Sequence, residues 1–397
     1  MRLLHTSDWH LGKGLGPFDL EEAQRKYVDQ IDEIVTDQNI DALLISGDIF
    51  DKQLPSLGAL AIFENALERL SSKTTVIITS GNHDGARRLG FSRSLLEKSN
   101  IYIRTSIDDI SRPVLLEKNG VRTSIYGIPF LEPFTTAAKL LETGNETTRS
   151  DRSHKNVLTA AIERVHKHHT ANPADRTVVM SHAWFAGADG DGSEIDVKVG
   201  GLENTPTSVL SKFTYAALGH IHKPNVIDNH IRYCGSALQY SFANRDIPKV
   251  SFVVDLSEIE PKVTPIDNYI HRKMHVIEDS FEKLMNSREY EEHRNSYLKI
   301  KVLDAPPPQA INQLRERFPY IADFSVASVG GIAPAWEKMQ GMTEEEICCD
   351  FIEFSRGTPP NKLEESFFAS AIAHARRGSI GRENDIANSV ELLSDPQ

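Results

Sequence analysis

Cysteine is scarce. Cys234, Cys348 and Cys349 are the only three in 397 residues, too few for a disulfide framework. None is spaced as C-x-x-C, which removes zinc-ribbon and dithiol redox readings. A reducing, cytosolic setting fits such a chain. No apolar run approaches the ~18 residues of a membrane span. The first residues enter a strand-like run without an apolar leader or cleavage site, so export is not expected either. An excess of positive charge is also missing. The net charge of −12 argues against a globally basic nucleic-acid binder, although a local basic patch or bound cations can still steer a polyanion. The acidic excess is uneven, because residues 336–397 hold twelve Asp/Glu against six Lys/Arg. No internal repeat is found.

A sizeable core is allowed by the 40% hydrophobic share, and 397 residues favour two domains or more. One pattern organises the chain. Thr75-Val76-Ile77-Ile78-Thr79 reads as a buried strand and runs into Gly81-Asn82-His83-Asp84. Leu3–Thr6 runs into Asp8-Trp9-His10, and Ala42–Ile45 runs into Gly47-Asp48-Ile49-Phe50-Asp51. Val178–Met180 runs into His182, and Tyr215–Leu218 runs into Gly219-His220-Ile221-His222. Ligand sites of α/β sheets form just outside the carboxyl ends of the strands. Five strand ends bearing Asp, His and Asn therefore point to one site.

Between these motifs the spacing predicts helices over 19–38 and 57–70, and a further helix over 157–168. The 57–70 helix has apolar residues on two faces, Leu60, Phe63, Leu67 and Leu70 on one and Ile62 and Ala66 on another. It is buried twice, within its domain or in a dimer contact. Alternating strands and helices argue for an α/β fold with a parallel or mixed sheet covered by helices. The polar stretch 143–155 and the Gly/Asp-rich stretch 187–201 read as loops, the second lying over the site. Short strands and helices over 269–328 form a small α+β unit that carries no candidate ligand. Residues 329–342 read as a linker. Two capped helices follow over 343–378, the first opening on the capping box Thr343-Glu344-Glu345-Glu346. Residues 379–397 are polar and expected to be disordered.

The candidate ligands are Asp8, His10, Asp48, Asn82, His182, His220 and His222. Carboxylate, imidazole and amide oxygen together suit Mn²⁺, Zn²⁺ or Fe²⁺. Seven ligands are too many for one ion but suit two ions that share a carboxylate. Such ions, roughly 3.5–4 Å apart, bind the attacking and leaving oxygens of a phosphoryl displacement. Each motif alone is common. The ordered set of five, each after a strand, is specific.

These motifs resemble the five-motif signature of the calcineurin-like metallophosphoesterases over roughly residues 1–255. His5–Gly12, Ser46–Asp51 and Tyr233–Ser236 with Phe242 are similar to the double-strand-break-repair nuclease branch. The resemblance implies a metallophosphoesterase β-sandwich flanked by helices over 1–268, a capping domain over 269–328 and a helical tail. It implies that Asp8, His10 and His222 hold one ion, that Asn82, His182 and His220 hold the other, and that Asp48 bridges them. It implies two divalent ions, Mn²⁺ by preference, with His83 as general acid and the Asp51 carboxylate orienting it. The competing reading of Asp51 is a helix N-cap or a loop salt bridge with Lys52, and the catalytic support role is favoured over it. Arg87, Arg88 and Arg93 follow the third motif and are candidate contacts to DNA phosphates.

The same resemblance implies a DNA nuclease subunit working with an ATPase partner of the SMC family on double-strand ends and hairpins. The subunit would be a homodimer through helix 57–70 and segment 91–96, giving a heterotetramer with the ATPase. Ile347, Phe351 and Phe354, with Leu363, Phe367 and Phe368, give the tail helices apolar stripes suited to docking that partner. A small-molecule phosphodiesterase or protein phosphatase on the same scaffold is the competing enzyme reading. Lys52-Gln53 and Asp84 stand where protein phosphatases carry Arg-Gly and Glu, which weakens the phosphatase reading, and the cap and two-helix tail count against a small-substrate enzyme. A non-catalytic DNA-end scaffold is the third reading, and the complete ligand set argues against it.

Overall fold

The computed structural model of the chain describes residues 1–141, 152–188, 205–327, 342–356 and 359–376. Met1–Val326 forms one compact unit and Ala327–Gln397 another. Most of the loops expected over 143–155 and 187–201, the linker and the last 19 residues lie outside the described residues.

The first unit is built on two six-stranded sheets. The strands are β1 (Arg2–Thr6), the short hairpin β2 (Gly14–Leu15) and β3 (Phe18–Asp19), β4 (Ala42–Ser46), β5 (Thr75–Thr79) and β6 (Ile101–Arg104). They continue with β7 (Val114–Lys118), β8 (Val121–Ile128), β9 (Arg176–His182), β10 (Tyr215–Gly219), β11 (Asn225–Asp228) and β12 (Ile231–Tyr233). β13 (Val250–Asp255) and β14 (Lys262–Asp267) complete the first sheet, and the β2–β3 hairpin stands apart from both. The first sheet runs β14-β13-β1-β4-β5-β6, and the second runs β11-β12-β10-β9-β8-β7. The central strands β1, β4 and β5 are mutually parallel. So are β8, β9 and β10. Their carboxyl ends therefore lie together at one edge of each sheet.

Alternation along these strands builds a sandwich. Leu3, Ala42, Leu44 and Ile77 of the first sheet share a buried cluster with Val178, Met180, Tyr215 and Ala217 of the second. Their neighbours Leu4, Leu43, Ile45, Val76 and Ile78 pack outward against Tyr27, Ile31, Ile62 and Ala66 of helices Glu21–Asp37 and Leu57–Ser71. On the other side, Val179, Ala216 and Leu218 pack against Val157, Ala161 and Val165 of helix His154–Ala171. Strands buried on both faces read as continuous apolar runs, which is why the five were recognisable. The sandwich implied by the resemblance is present. The last of these helices begins three residues before its apolar pattern, because the Ser153 side chain caps it by accepting from the Asn156 N–H.

Polar bonds lock the sheets together where the ligands emerge. The His5 ring bonds the Tyr215 hydroxyl at 2.9 Å and the Leu218 carbonyl at 3.2 Å. The Ser46 hydroxyl donates to the Ala217 carbonyl at 2.9 Å. The sheets come so close here that a Cβ on Gly219 would collide with the Ser46 carbonyl oxygen. Glycine before His220 is a packing requirement.

A three-stranded parallel sheet, β15 (Met274–Asp279), β16 (Tyr297–Val302) and β17 (Ile321–Val326), carries helices Phe281–Asn286 and Ala310–Arg317. Its own core contains Ile277, Leu284, Leu298, Ile300, Leu314 and Phe318. Phe18 rests on Tyr297 and Tyr320, with ring centres 5.5 and 5.9 Å away.

In the second unit, helix Glu344–Arg356 opens on the expected capping box. The Glu346 N–H donates to Thr343 Oγ1 at 3.2 Å, and the Glu346 carboxylate accepts from the Thr343 N–H at 2.6 Å. Helix Lys362–Arg376 opens on Asn361, whose Oδ1 accepts from the Glu364 N–H at 3.0 Å.

Candidate metal centre

Asp8 and His10 leave β1, Asp48 leaves β4 and Asn82 follows β5, so the first sheet supplies carboxylates, one amide and one imidazole. His182 ends β9, and His220 and His222 follow β10, so the second sheet supplies imidazoles alone. The backbone is forced at these places. Asp8, His10, Asp48 and His220 have φ of 51°, 46°, 50° and 96°, a region that side chains with a Cβ avoid. Such conformations persist only where the surroundings over-determine them, and they gather at functional sites. Gly47, at φ 83°, makes the turn that brings Asp48 inward, and a Cβ there would strike the His182 ring.

All seven candidate ligands come together in two groups. In the first, His222 Nε2 lies 3.9 Å from Asp8 Oδ1 and 3.1 Å from His10 Nε2. His10 Nε2 is 3.7 Å from Asp48 Oδ2. The ligand atoms of these four residues lie within 4.8 Å of one another. In the second, Asn82 Oδ1 lies 3.0 Å from His182 Nε2 and 3.1 Å from His220 Nδ1. His182 Nε2 is 3.3 Å from the same Asp48 Oδ2. Asp48 is therefore common to both groups.

The donor set fits divalent cations. His182 Nδ1 stands 2.8 Å from the Ser46 carbonyl, which can only accept, so the N–H is on Nδ1. Nε2 then faces an amide oxygen and a carboxylate oxygen, both acceptors, and only a proton or a cation can join the three. Burial opposes a charge on His182, but the Asp48 carboxylate outweighs it and pushes that imidazole up to about 9. A divalent cation bound there would take the place of that proton. Burial pushes the Asp8 carboxyl up to about 7, against the opposing pull of His182. At Asp48 burial acts the same way, but the His182 and His10 rings outweigh it and keep the carboxylate ionised. Burial holds His10 and His220 well below the ordinary imidazole range, in the neutral form that ligates.

Several residues outside the ligand set support it through contacts that their motifs do not spell out. Asp84 is buried and accepts from the N–H groups of Ile49, Phe50 and Gly81 at 3.1, 3.0 and 2.9 Å. It ties the Asp48 turn to the Asn82 turn. Burial and the nearby Asp48 push its carboxyl up to about 6, against those three bonds. Its place next to Asn82-His83 is the one signal that could have found it. Asp8 accepts from the Ser7 hydroxyl and from the His220 N–H at 3.1 Å. The buried Lys249 ammonium donates to the His222 carbonyl at 2.6 Å, a contact without sequence signature.

His83 is half-buried, edge-on to the His10 ring with centres 4.8 Å apart, and its backbone N–H donates to Asp48 Oδ1 at 2.9 Å. Asp51 supports it differently from expectation. The His83 Nδ1 bonds the Asp51 main-chain carbonyl at 2.7 Å. The Asp51 carboxylate instead pairs with Lys13 Nζ at 3.1 Å and lies 3.7 Å from His10 Nδ1. The alternative partner, Lys52, is replaced by Lys13 because the 10–13 turn comes back over Asp51. Arg87 and Arg88 are exposed on the short helix Ala86–Leu89, where the Arg88 guanidinium donates to the Gln53 carbonyl. Arg93 is drawn to Asp109 at 3.7 Å.

Away from the centre, Phe351, Leu363 and Phe367 are exposed by 66%, 65% and 53%. Ile347 and Phe368 are half-buried. The side chain of Phe354 lies outside the described residues. On helix Leu57–Ser71, Ala59, Ile62, Phe63, Ala66 and Leu70 are buried while Leu57 and Leu60 face solvent. Phe91 and Leu95 are exposed as well.

The model of the family described as calcineurin-like phosphoesterase matches residues 1–224. A protein of Staphylococcus epidermidis, named as the SbcD component of the nuclease SbcCD, is 29% identical over 308 residues, 76% of this chain and 79% of that one. Its namesake in Staphylococcus saprophyticus is 28% identical over 307 residues, 76% of this chain and 78% of that one. A solved archaeal phosphodiesterase is 14% identical and covers 67% of this chain and all of its own, at a TM-score of 0.30.

Proposed function

The chain belongs to the calcineurin-like phosphoesterase family, and on that premise we propose that it is a metal-dependent DNA phosphodiesterase, the nuclease subunit of an SbcCD-type complex. The observation that carries this reading is the Asp48 carboxylate oxygen shared between two groups of ligand-type side chains. Asp8, His10 and His222 would hold one ion, Asn82, His182 and His220 the other, and Asp48 both, with Mn²⁺ the preferred metal. Two such ions supply a hydroxide at neutral pH and neutralise charge on the phosphate.

The chain's own residues do the rest. A water oxygen attacks phosphorus, the bond to the opposite oxygen breaks, and His83 gives that leaving oxygen a proton from Nε2. The Asp51 carbonyl on Nδ1 aims the ring. Asp51 orients the acid through its main chain and steadies Lys13 and His10 through its carboxylate. Arg87 and Arg88, exposed after the third motif, would contact DNA phosphates.

Residues 269–328 act as the cap, and the tail helices dock an SbcC-like ATPase of the SMC family through Ile347, Phe351, Phe354, Leu363, Phe367 and Phe368. The apolar residues Leu57, Leu60, Phe91 and Leu95, exposed in the single chain, support a homodimer, and hence a heterotetramer with the ATPase. Among the described residues no helix is long and apolar enough to cross a membrane. The test is hydrolysis of bis-p-nitrophenyl phosphate against the mono-ester with Mn²⁺, followed by nucleotide release from a blunt duplex. Diester preference with nucleotide release is expected. Mono-ester preference, or no hydrolysis of either, contradicts the reading.

A further inference from the structure

Two aromatic side chains stand beside the Asn82, His182 and His220 group, and the reaction above makes no use of them. Phe130 follows β8, and its ring centre lies 6.5 Å from those of His182 and His220 and 5.8 Å from that of His154. Trp184 follows β9, and its indole lies 6.2 Å from the His220 ring. Phe185, next in the chain, is fully buried. Phe130 and Trp184 are only half-buried, so part of each flat apolar surface stays open to a ligand. The Phe130 main chain and the Trp184 side chain are each tied down. The Phe130 N–H donates to the Ser80 carbonyl at 2.8 Å. The Trp184 Nε1–H donates to the Ala188 carbonyl at 3.2 Å.

We propose that Phe130 and Trp184 form a nucleobase-stacking subsite for the nucleotide whose phosphate engages the metal centre. The inference rests on the phosphodiesterase reading and adds where the substrate's base goes. A nucleotide carries its base one sugar away from its phosphate. An apolar platform one ring beyond the ligand imidazoles is therefore within its reach. The polar centre takes the charged part of the nucleotide, and the aromatic pair takes the part that water solvates least well. Every base presents a π face, so such a platform binds all four without reading sequence. That suits an enzyme acting at ends of any composition. The Trp184 indole, held by its bond to the Ala188 carbonyl, has less freedom to lose on binding.

The test compares deoxyadenosine 5′-monophosphate with 2-deoxyribose 5-phosphate, which has the same sugar and phosphate but no base. Both are titrated calorimetrically into the Mn²⁺-loaded full chain. Stacking predicts tighter binding of the nucleotide by about 5- to 150-fold. Phe130→Ala should erase most of that preference while Mn²⁺ uptake is retained. Should that variant fold poorly, Phe130→Leu, apolar but not aromatic, reads out the same loss. Trp184→Phe should keep the preference but lose the quenching of tryptophan fluorescence by the nucleotide. Equal affinity of the wild-type chain for both probes, or full preference in the Phe130 variants, overturns the subsite. A chain that takes up no Mn²⁺ overturns the metal centre itself, so the two failures are distinguishable.

Discussion

In the phosphoesterase body Asp8, His10, Asp48, His182 and His220 are each exposed by 2% or less, whereas in the C-terminal helices Phe351, Leu363 and Phe367 are more than half exposed. The first region takes charge and polarity out of water. The second leaves apolar surface in it. Both arrangements cost free energy in the isolated chain, the one through desolvation and the other through hydration of hydrocarbon. On the proposed function each cost would be offset by something outside the chain, cations for the body and a partner's apolar groove for the helices. A residue in the wrong solvent is a better pointer to function than a residue in the right one.

The comparison is broken most severely by Asp48→Ala. Removal of the oxygen shared by both ligand groups should release both ions and abolish hydrolysis, while co-purification with the ATPase partner persists. Metal analysis with a pull-down checks both halves. The converse experiment is the pair Phe351→Asp and Phe367→Asp. Charging two exposed apolar positions should weaken the ATPase by about 10²–10⁴-fold, on the scale of two buried Phe side chains, and leave metal content unchanged. Truncation after Gly341 should do the same, and partner affinity unchanged by truncation would put the docking site elsewhere.

Within the body, His83→Ala sharpens the distinction between ligands and acid. Both ions and DNA binding should remain, while cutting slows by roughly 10²–10⁴-fold. Loss of metal in that variant would make His83 a ligand. The smallest effect is expected of Asp84→Asn. One acceptor oxygen is replaced by an amide that faces backbone N–H groups, so thermal unfolding should show a loss of about 1–3 kcal/mol. An unchanged melting temperature would mean that Asp84 does not clamp the two turns.

What was legible in the sequence follows from the same physics. Strands buried on two faces announce themselves as apolar runs, so the ends bearing Asp8, Asp48, Asn82, His182 and His220 were found without a structure. Gly47 and Gly219 sit where two sheets nearly touch, and their motifs carry that constraint in one letter. The supporting contacts were not legible, since their partners are main-chain atoms. Asp84 binds three backbone N–H groups, Lys249 binds the His222 carbonyl, and His83 is aimed by the carbonyl of Asp51 rather than by its carboxylate. A carbonyl has no residue type, so no motif can record it. The pairing of Asp51 with Lys13 was hidden for a related reason, because it depends on how the turn after His10 folds back.

The central claim is that Asp48 joins two cation sites. Equilibrium dialysis of the wild-type chain and of Asp48→Ala against Mn²⁺, with metal counted per chain, tests it most directly. Two ions per wild-type chain, and loss of both in the variant, are the predicted result. A single ion in the wild type, or two ions still held by Asp48→Ala, would contradict it.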